Sequence, residues 1–547
     1  MDDDATRLQL KEFFPGIEEE ALIKCISMCR MFNLAPDDLR FKWEALIFNT
    51  SAKDTPITFF TLDSARDLQQ ILQREVAKPV QKVVAPKHNA VKKVFRQVPL
   101  GGGVAAGSPT ATSTRRKQGV VKKEPSALAG PSVNFTPPHN IEAYSFLDDQ
   151  IDDMAEIVKK HYQLEELGDP NTVTQDEVVV VGRIVNDGDT KLGESSTFLE
   201  SSRMMGMGVR VPLEFDADVK IRCASMRGTG STGIGLFPGM IVALKGKNGH
   251  GDSFVVSEFL RIPPLFPSIK TDTDSSLKAM VACGPYTCDS DLDYKPFTAL
   301  IDAVRNERPQ LLLLIGPFVD SNHPLVKTGQ LDQTPASVFR EHISNLLVQL
   351  EGDIPELLVI VVPNTRDLIS SHVVFPQAAP ERDPELGLPR RVHLVPNPSR
   401  FSINGFNIGV TSVDVLFHIR KDEFFKYAPE LSDERSSQPT DAMAMLCRQI
   451  LEQRSFYPLF PVPKEVQEDV NLSVVHSKLL KMDEIAPDLL VLPSRLKAFQ
   501  KVVDSTVIVN PAMAAKSNSA GTAVCLEIVR SPGAAPHCST KPIKLGT

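Results

Sequence analysis

The sequence predicts a multidomain α+β protein made of a small N-terminal helical bundle, a disordered linker, a small β-barrel and an α/β sandwich. Three observations predict it: apolar residues at helical spacing near the N-terminus, a basic stretch rich in Gly and Pro, and alternating strands followed by buried apolar strands separated by helices. The expected boundaries are 1–75 for the bundle, 76–140 for the linker, 141–265 for the barrel with a preceding helical stretch, and 266–547 for the sandwich.

The helical bundle is predicted from the spacing of apolar residues. Leu22, Ile26 and Cys29 lie on one face of a helix, and a proline followed by two aspartates at 36–38 is a start signal for the next helix. Cys25 and Cys29 stand one helical turn apart, but no further Cys or His lies nearby. A zinc site needs four ligands, so the spacing does not favour one.

Composition and length exclude several classes of protein. Hydrophobic residues make up 42% and charged residues 23% of the 547 residues, which is enough for several packed cores. The longest apolar runs, such as 311–315 and 357–362, are far shorter than the ~20 residues of a membrane helix. Residues 1–4 lack the basic and apolar stretches of a secretory signal, and eight Cys are too few for a disulfide scaffold. We therefore expect neither a membrane protein nor a secreted one.

The predicted linker carries a charge opposite to that of the whole chain. The net charge is −8, yet residues 76–123 contain 11 Lys or Arg and no Asp or Glu. Such a stretch buries little apolar area, so chain entropy favours disorder. Ser108 and Thr136, each followed by Pro, are candidate phosphorylation sites. The basic clusters indicate either a solvated tail or a nuclear import signal with weak nucleic-acid contact; they comprise Lys92, Lys93, Arg115, Arg116, Lys117, Lys122 and Lys123.

Short strands with Gly-rich turns predict a Greek-key barrel of the OB type. The strands are expected at 177–181, 209–215, 219–223, 240–245 and 254–260. A barrel that binds single-stranded nucleic acid needs a basic groove with exposed aromatic rings. Between residues 171 and 262 there are instead 10 basic and 11 acidic residues, and the five aromatics are all Phe, mostly within apolar patterns. We therefore expect a protein-docking module and keep a single-stranded-DNA-binding barrel as an alternative.

Three glycines match the text of a dinucleotide-binding motif. Gly228, Gly230 and Gly233 have the required spacing, but the motif also needs a following helix whose N-terminus meets the pyrophosphate. Residues 234–242 contain a Pro-Gly pair and indicate a turn and then a strand. We assign the glycines to a loop of the barrel and expect no cofactor.

The second half of the chain alternates apolar strands with helices, which predicts an α/β layered domain. Several of the strands are continuous apolar runs, as in sheets that are covered on both faces. The strands are expected at 279–283, 311–315, 357–362, 406–411, 489–492, 507–509 and 523–529, with helices such as 296–305 and 337–350 between them.

One strand end of this domain resembles a signature of the calcineurin-like metallophosphoesterases. The strand 311–315 runs into Gly316, Pro317 and then Asp320. Enzymes of that family hold two metals with Asp, Asn and His at strand ends, and the metal pair generates the nucleophile. Here Pro317 replaces the bridging aspartate and has no donor atom. We expect Asp320 to have a structural role, such as capping the turn.

The other strand ends have lost their metal ligands as well. Asn364 is the one donor that its motif retains, and Ser494 stands in a motif that should supply histidines. Arg366 and Arg495 could even place positive charge at these strand ends. We therefore expect a phosphoesterase-like sandwich without metals and a chain that is not an enzyme. A divergent metal-dependent phosphoesterase is the enzyme alternative.

Blocks of sequence in a constant order resemble the second (B) subunits of replicative DNA polymerases. The likeness spans about 175 to 530 and is specific, because many separate blocks follow one another; they lie at 181–184, 191–192, 198–200, 236–243, 282–287, 316–320, 453–461, 487–494 and 509–511. The N-terminal helical domain and long linker resemble the family member that serves the polymerase making RNA–DNA primers.

This resemblance implies a non-catalytic scaffold in the nucleus. The barrel and the inactive phosphoesterase domain are expected to form one rigid body that binds the C-terminal, zinc-containing module of the polymerase catalytic subunit. Primase subunits are expected partners through the complex, and residues 1–75 are expected to recruit replication-initiation factors. Contact with DNA is expected to be mainly indirect, and no membrane partner is expected.

Overall fold

The computed structural model describes residues 140–188, 191–222, 233–268, 275–427, 441–482, 484–530 and 537–546, with seven separate positions between 7 and 29. The chain divides into two compact units, Met1–Thr112 and Ser113–Thr547. In the first unit the described positions are helical, and five are buried: Leu10, Ala21, Leu22, Cys25 and Cys29. The rest of the predicted bundle lies outside the described residues, as do the predicted linker up to residue 139, its basic clusters, Ser108 and Thr136.

A closed five-stranded barrel begins the second unit, after helix α1 (Asn140–Tyr162). Its strands are β1 (Val178–Asn186), β2 (Thr197–Glu200), β3 (Arg210–Arg222), β5 (Ile241–Lys247) and β6 (Phe254–Leu260), while β4 (Gly233–Leu236) lies outside it. The order around the barrel is β1-β2-β3-β6-β5. Only β3 and β6 run parallel within it. This arrangement confirms the predicted barrel of the OB type.

Two details of the predicted barrel strands are wrong. The stretches at 209–215 and 219–223 belong to one strand, β3, whose pairing with β6 shifts register between Phe215 and Lys220. Aspartates at this irregularity break the apolar alternation, so one bulged strand looks like two in the sequence. The strand β2 is absent from the prediction because it has only four residues and follows a Ser-Ser pair.

Helix α1 packs along the barrel wall through one apolar face. Its buried residues recur every three to four positions, which is the spacing of one helical face. They are Ile151, Met154, Ala155 and Val158, and they form one cluster with Val181, Ile241 and Leu260 of the barrel. The helix is therefore part of the same packed body as the barrel.

The α/β part contains a six-stranded sheet in the order β10-β9-β8-β7-β19-β20. Its strands are β7 (Ser275–Cys283), β8 (Leu311–Ile315), β9 (Leu358–Val362), β10 (Val392–Leu394), β19 (Thr522–Arg530) and β20 (His537–Lys544). Strands β7 to β10 run parallel, and β19 and β20 add antiparallel pairs at the other side.

A five-stranded sheet faces the first one in the order β11-β12-β14-β16-β15. Its strands are β11 (Ser399–Ile403), β12 (Phe406–Val410), β14 (Leu489–Val491), β15 (Phe499–Val503) and β16 (Thr506–Asn510), of which β12, β14 and β16 run parallel. The described residues also form two antiparallel two-stranded sheets. One pairs β4 with β13 (Phe424–Tyr427), and the other pairs β17 (Ala515–Lys516) with β18 (Ser519–Ala520). All seven strands predicted for this half are present.

Helices are distributed around these sheets and the barrel. They are α2 (Arg203–Gly206), α3 (Lys295–Glu307), α4 (Pro324–Lys327), α5 (Pro335–Phe339), α6 (Asn345–Asp353), α7 (Val415–Asp422), α8 (Ala442–Glu452) and α9 (Gln467–Val470). A π-helical turn, Arg340–Ser344, joins α5 to α6, so the helix predicted at 337–350 is irregular. Among the described residues no helix is both long and apolar enough to cross a membrane.

The core has three connected layers. Side chains from the facing sides of the two sheets form one buried cluster, which includes Leu313, Ile360, Phe406 and Val491. Helices α3 and α6 cover the outer face of the six-stranded sheet. On the other side, α7 and α8 share a cluster with the barrel interior and with β14 and β16. Burial on both sheet faces explains why these strands are continuous apolar runs.

Candidate functional site

The parallel strands of the two sheets end at one edge, where the predicted site residues lie. The turn after β8 approaches the turn after β7 so closely that a Cβ on Gly284 would lie 1.9 Å from the carbonyl oxygen of Pro317. The N–H of Gly316 donates to the carbonyl of Val362 at 2.9 Å, which extends the sheet by one more bond. The backbone of Pro317 therefore packs closely against the backbone of Gly284 at this edge.

Asp367 organises the turn that follows β8. One carboxylate oxygen accepts the backbone N–H groups of Phe318 and, at 3.1 Å, Val319, and the other accepts the N–H of Asn364 at 3.1 Å. The side chain is 2% exposed. Burial raises the pKa of Asp367 to about 7, although the three N–H donors favour the ionised form.

The polar atoms of Asn364 and Ser494 are engaged within the protein. The amide nitrogen of Asn364 donates to the carbonyl of Ser412 at 3.1 Å, and its oxygen accepts the N–H of Arg366 at 2.9 Å. The hydroxyl oxygen of Ser494 accepts the N–H of Leu496 at 3.2 Å. Both side chains act as turn-forming groups in this arrangement.

Asp320 lies in the turn that the sequence predicts it to cap. One carboxylate oxygen accepts the N–H of Asn322 at 2.9 Å, and the other lies 3.2 Å from Arg366. Burial raises the pKa of Asp320, and the nearby Arg366 opposes that rise. Asp320 thus stabilises the turn through a hydrogen bond to Asn322 and also forms an ion pair with Arg366.

Two arginines and three aspartates form an ion-pair network along the edge. Arg366 lies 3.2 Å from Asp469 as well as 3.2 Å from Asp320, and Arg495 lies 3.3 Å from Asp414 and 3.6 Å from Asp469. Both arginines are where the sequence places them, at the ends of β9 and β14. Their charge is compensated by neighbouring carboxylates.

This set of groups does not fit a pair of metal ions. A di-metal centre needs bridging carboxylate and imidazole donors, whereas the strand ends carry Pro317, an engaged amide on Asn364 and two guanidinium groups. Burial strongly raises the pKa of the Cys283 thiol at the end of β7, which disfavours the thiolate that a metal would need. Across the described ranges, no group of three or more His, Cys, Asp or Glu is placed to hold a metal.

His418 is a buried histidine beside this network. Its Nδ1 lies 3.2 Å from the hydroxyl oxygen of Tyr457, and burial lowers the pKa of His418 to about 4. As the pH falls from 6.5 to 4, the imidazole of His418 gains a proton in the unfolded chain before it does so in the native protein. The free energy of unfolding therefore decreases by roughly 3 kcal/mol over this pH range. His418→Gln should remove this part of the pH dependence in urea unfolding at pH 7 and 4.5.

The exposed His250 provides the control for this measurement. His250→Gln should leave the difference between the two pH values as it is in the parent chain. An equal loss of stability on acidification in the parent chain and in His418→Gln would contradict the prediction.

A second notable region is the junction between the barrel and the sandwich. The side-chain amide of Gln453, just after α8, makes two hydrogen bonds of 2.8 Å with the backbone of Ile241 in β5. The buried pair Arg261 and Glu452 adds an ion pair of 3.0 Å, and Arg261 also donates to the carbonyl of Gly233 at 3.1 Å. These bonds fix the barrel to α8 in addition to their shared apolar core.

The barrel also contacts the segment that follows α8. Phe460 donates its N–H to the carbonyl of Pro238 at 3.0 Å, next to Gly239, whose φ is +97°. A Cβ on Gly239 would lie 2.3 Å from the backbone nitrogen of Phe460. Only glycine suits this position, because the space and the backbone conformation both exclude a side chain.

Sequence reasoning missed two residues of these regions. Asp469 stands in a polar stretch that is typical of a solvated face, and no local pattern connects it with Arg366 or Arg495. The sequence did point to Gln453, because this residue begins the block 453–461 that contributes to the family resemblance. Its contact with β5 spans 212 positions and is visible only in the fold.

Two family models match the sandwich and the barrel. One is the model of the DNA polymerase alpha/epsilon B subunit, and it covers residues 279–501. The other is the model of the OB domain of the DNA polymerase alpha B subunit, and it covers residues 144–262. The sandwich and the barrel thus place the chain among the B subunits of replicative DNA polymerases, as the resemblance in the sequence predicts.

Individual relatives show to which family of B subunits the chain is similar. The DNA polymerase alpha B subunit of Schizosaccharomyces pombe is 30% identical over 94% of this chain and 95% of the relative. The protein of the same name from Saccharomyces cerevisiae is 31% identical over 68% of this chain and 56% of its own length, and that from Mus musculus 28% over 71% and 60%. The chain belongs to the family of DNA polymerase alpha B subunits, and is therefore an accessory subunit of the DNA polymerase alpha complex in DNA replication.

Proposed function

We propose that the chain is a non-catalytic scaffold whose barrel and sandwich act as one rigid body for binding the C-terminal, zinc-containing module of the polymerase catalytic subunit. The observation that carries this proposal is the junction: barrel, α7, α8 and the five-stranded sheet share one apolar cluster, reinforced by Gln453 and the Arg261–Glu452 pair. Groups fixed in this way lose little further entropy when a partner binds. We further propose that the sandwich is a calcineurin-like phosphoesterase fold without its metal ligands.

An exposed apolar pair beside the junction is the surface we propose for this partner. Phe266 donates its N–H to the carbonyl of Glu484 at 2.8 Å, and its carbonyl accepts the N–H of Ala486 at 2.7 Å, so its backbone is held in place. Phe266 is 64% exposed, and the adjacent Ile485 is 44% exposed. Aromatic residues such as Phe are enriched in protein interfaces, and the buried centre of an interface is more apolar than the rest of the surface.

Size-exclusion chromatography of the full chain, co-expressed with the C-terminal module of the catalytic subunit, tests this proposal. We expect the two to elute together, and the double variant Phe266→Asp with Ile485→Asp to weaken binding at least ~10-fold. Val348 on α6 is 51% exposed, so Val348→Asp is the matched control and should bind like the parent. Separate elution of the parent chain would contradict the proposed function, and equal binding by the double variant would contradict only the surface.

The absence of catalysis can be tested on the same protein. The strand-end donors do not form a di-metal set, so Mn²⁺ should produce no turnover of a generic phosphoester. Turnover that Asn364→Ala abolishes would favour a divergent phosphoesterase instead.

The remaining parts of the chain complete the proposal. We infer four functional regions with the limits 1–75, 76–140, 141–265 and 266–547. Residues 1–75 would recruit replication-initiation factors, and the complex would bring in the primase subunits, so that DNA contact is mainly indirect. The basic clusters of the linker would direct nuclear import, and Ser108 and Thr136 would be sites of phosphorylation; neutralising the clusters should leave the isolated protein cytoplasmic.

A further inference from the structure

A short segment lies across the strand-end edge of the sandwich. We call residues 463–473 the strap; it contains α9 and packs on the chain that follows β9. Asn471 donates its side-chain N–H to the carbonyl of Val373 at 2.7 Å. Phe375 donates its N–H to the carbonyl of Asn471 at 3.1 Å, and Ser473 donates its N–H to the carbonyl of Phe375 at 2.8 Å.

Asp469 is the charged contact of the strap with both sheets. Its carboxylate lies 3.2 Å from Arg366, which follows β9 of the six-stranded sheet, and 3.6 Å from Arg495, which follows β14 of the five-stranded sheet. Its backbone carbonyl accepts the hydroxyl of Thr365 at 2.9 Å. One residue of the strap thus bridges the two layers of the sandwich.

We propose that Asp469 is an electrostatic latch that holds the strap closed over the strand ends, where a hydrolase of this fold would admit its substrate. The latch differs from a metal centre, because the carboxylate of Asp469 links the side chains of Arg366 and Arg495 without a metal ion. The proposal is independent of which protein the body binds.

The charges at the edge show how the latch can be tested without unfolding the protein. Arg366 keeps Asp320 at 3.2 Å and Arg495 keeps Asp414 at 3.3 Å when Asp469 is removed. Neither arginine is then left without a carboxylate, so the sandwich should remain folded. The strap loses its charged contact with the strand ends, while the ion pair of Glu465 with Lys421 at 2.7 Å and the buried side chains of Val466 and Val470 still anchor it.

Hydrogen exchange measured by mass spectrometry on the full chain is the test. In Asp469→Ala, amides of the strap should exchange at least ~10-fold faster than in the parent chain, while β8 and β9 keep their protection. Glu468→Ala is the matched control, since Glu468 is the neighbouring, exposed acidic residue of α9. It should exchange like the parent.

Two further measurements make the result decisive. Asp469→Asn keeps the shape but removes the charge, and should behave like Asp469→Ala. High salt should narrow the difference between parent and variant, because Arg495 is 47% exposed on its side chain and therefore screened. Unchanged strap exchange in Asp469→Ala would show that the apolar anchors suffice and would overturn the latch, as would faster exchange spread evenly over β8 and β9.

Discussion

Asp367→Ala should lower the free energy of unfolding by about 3–5 kcal/mol, because it leaves three buried backbone N–H groups without an acceptor. Those groups belong to Phe318, Val319 and Asn364, and they hold the turn after β8 against the turn after β9. Urea unfolding followed by circular dichroism would measure the change. The exposed Asp332 provides the control, and Asp332→Asn should change stability by less than about 0.5 kcal/mol.

Asp367→Asn separates hydrogen bonding from charge. The amide oxygen can still accept from Phe318 and Val319, but the amide nitrogen would face the N–H of Asn364, so we expect a smaller loss of about 1–3 kcal/mol. The folded pKa of about 7 lies above the usual value of 3.8. Between these values only the unfolded state releases its proton, so the parent chain loses stability as the pH rises.

The raised pKa of Asp367 also predicts how the stability difference between the parent chain and Asp367→Asn changes with pH. The advantage of the parent over Asp367→Asn should shrink as the pH rises from 4 to 7, because only the parent carries the titrating carboxyl. Comparing the two chains at each pH cancels the other titrating groups. A constant or growing advantage over that range would contradict a raised pKa for Asp367.

Arg261→Met should cost about 3–5 kcal/mol, because it leaves the carboxylate of Glu452 buried without its counter-charge. Burial raises the pKa of Glu452, and Arg261 opposes that rise, so the pair depends on both members. The same change also removes a hydrogen bond to the carbonyl of Gly233. Loss of this pair should loosen the attachment of the barrel to α8.

The double variant Arg261→Met with Glu452→Leu should recover much of the lost stability, because no unpaired charge stays buried. The pair of the exposed Arg222 with the partly buried Glu258, at 2.8 Å in the same barrel, provides the comparison. Arg222→Met should cost less than about 1 kcal/mol, as surface ion pairs do. If Arg261→Met were as mild as Arg222→Met, the buried pair would not stabilise the junction.

Most of the fold could be predicted because apolar periodicity reports burial directly. All seven predicted strands of the sandwich are present, since residues covered on both faces form continuous apolar runs such as 311–315. The short strand β2 and the bulge in β3 could not be predicted, because a four-residue strand has too few positions for a pattern and a bulge interrupts one. Hydrogen bonding with neighbouring strands determines both.

The sequence establishes which chemistry the strand ends lack, since the side chain of Pro317 has no metal-donor atom in any conformation. It also determined the order of barrel and sandwich, through blocks that keep their sequence order. What replaces that chemistry depends on the folded arrangement, in which Asp469 meets Arg366 across 103 positions. The same is true of the junction, where Gln453 meets Ile241 across 212 positions. Side-chain type is local information, whereas a pairing between distant residues depends on how the layers pack, and no short pattern of residues encodes it.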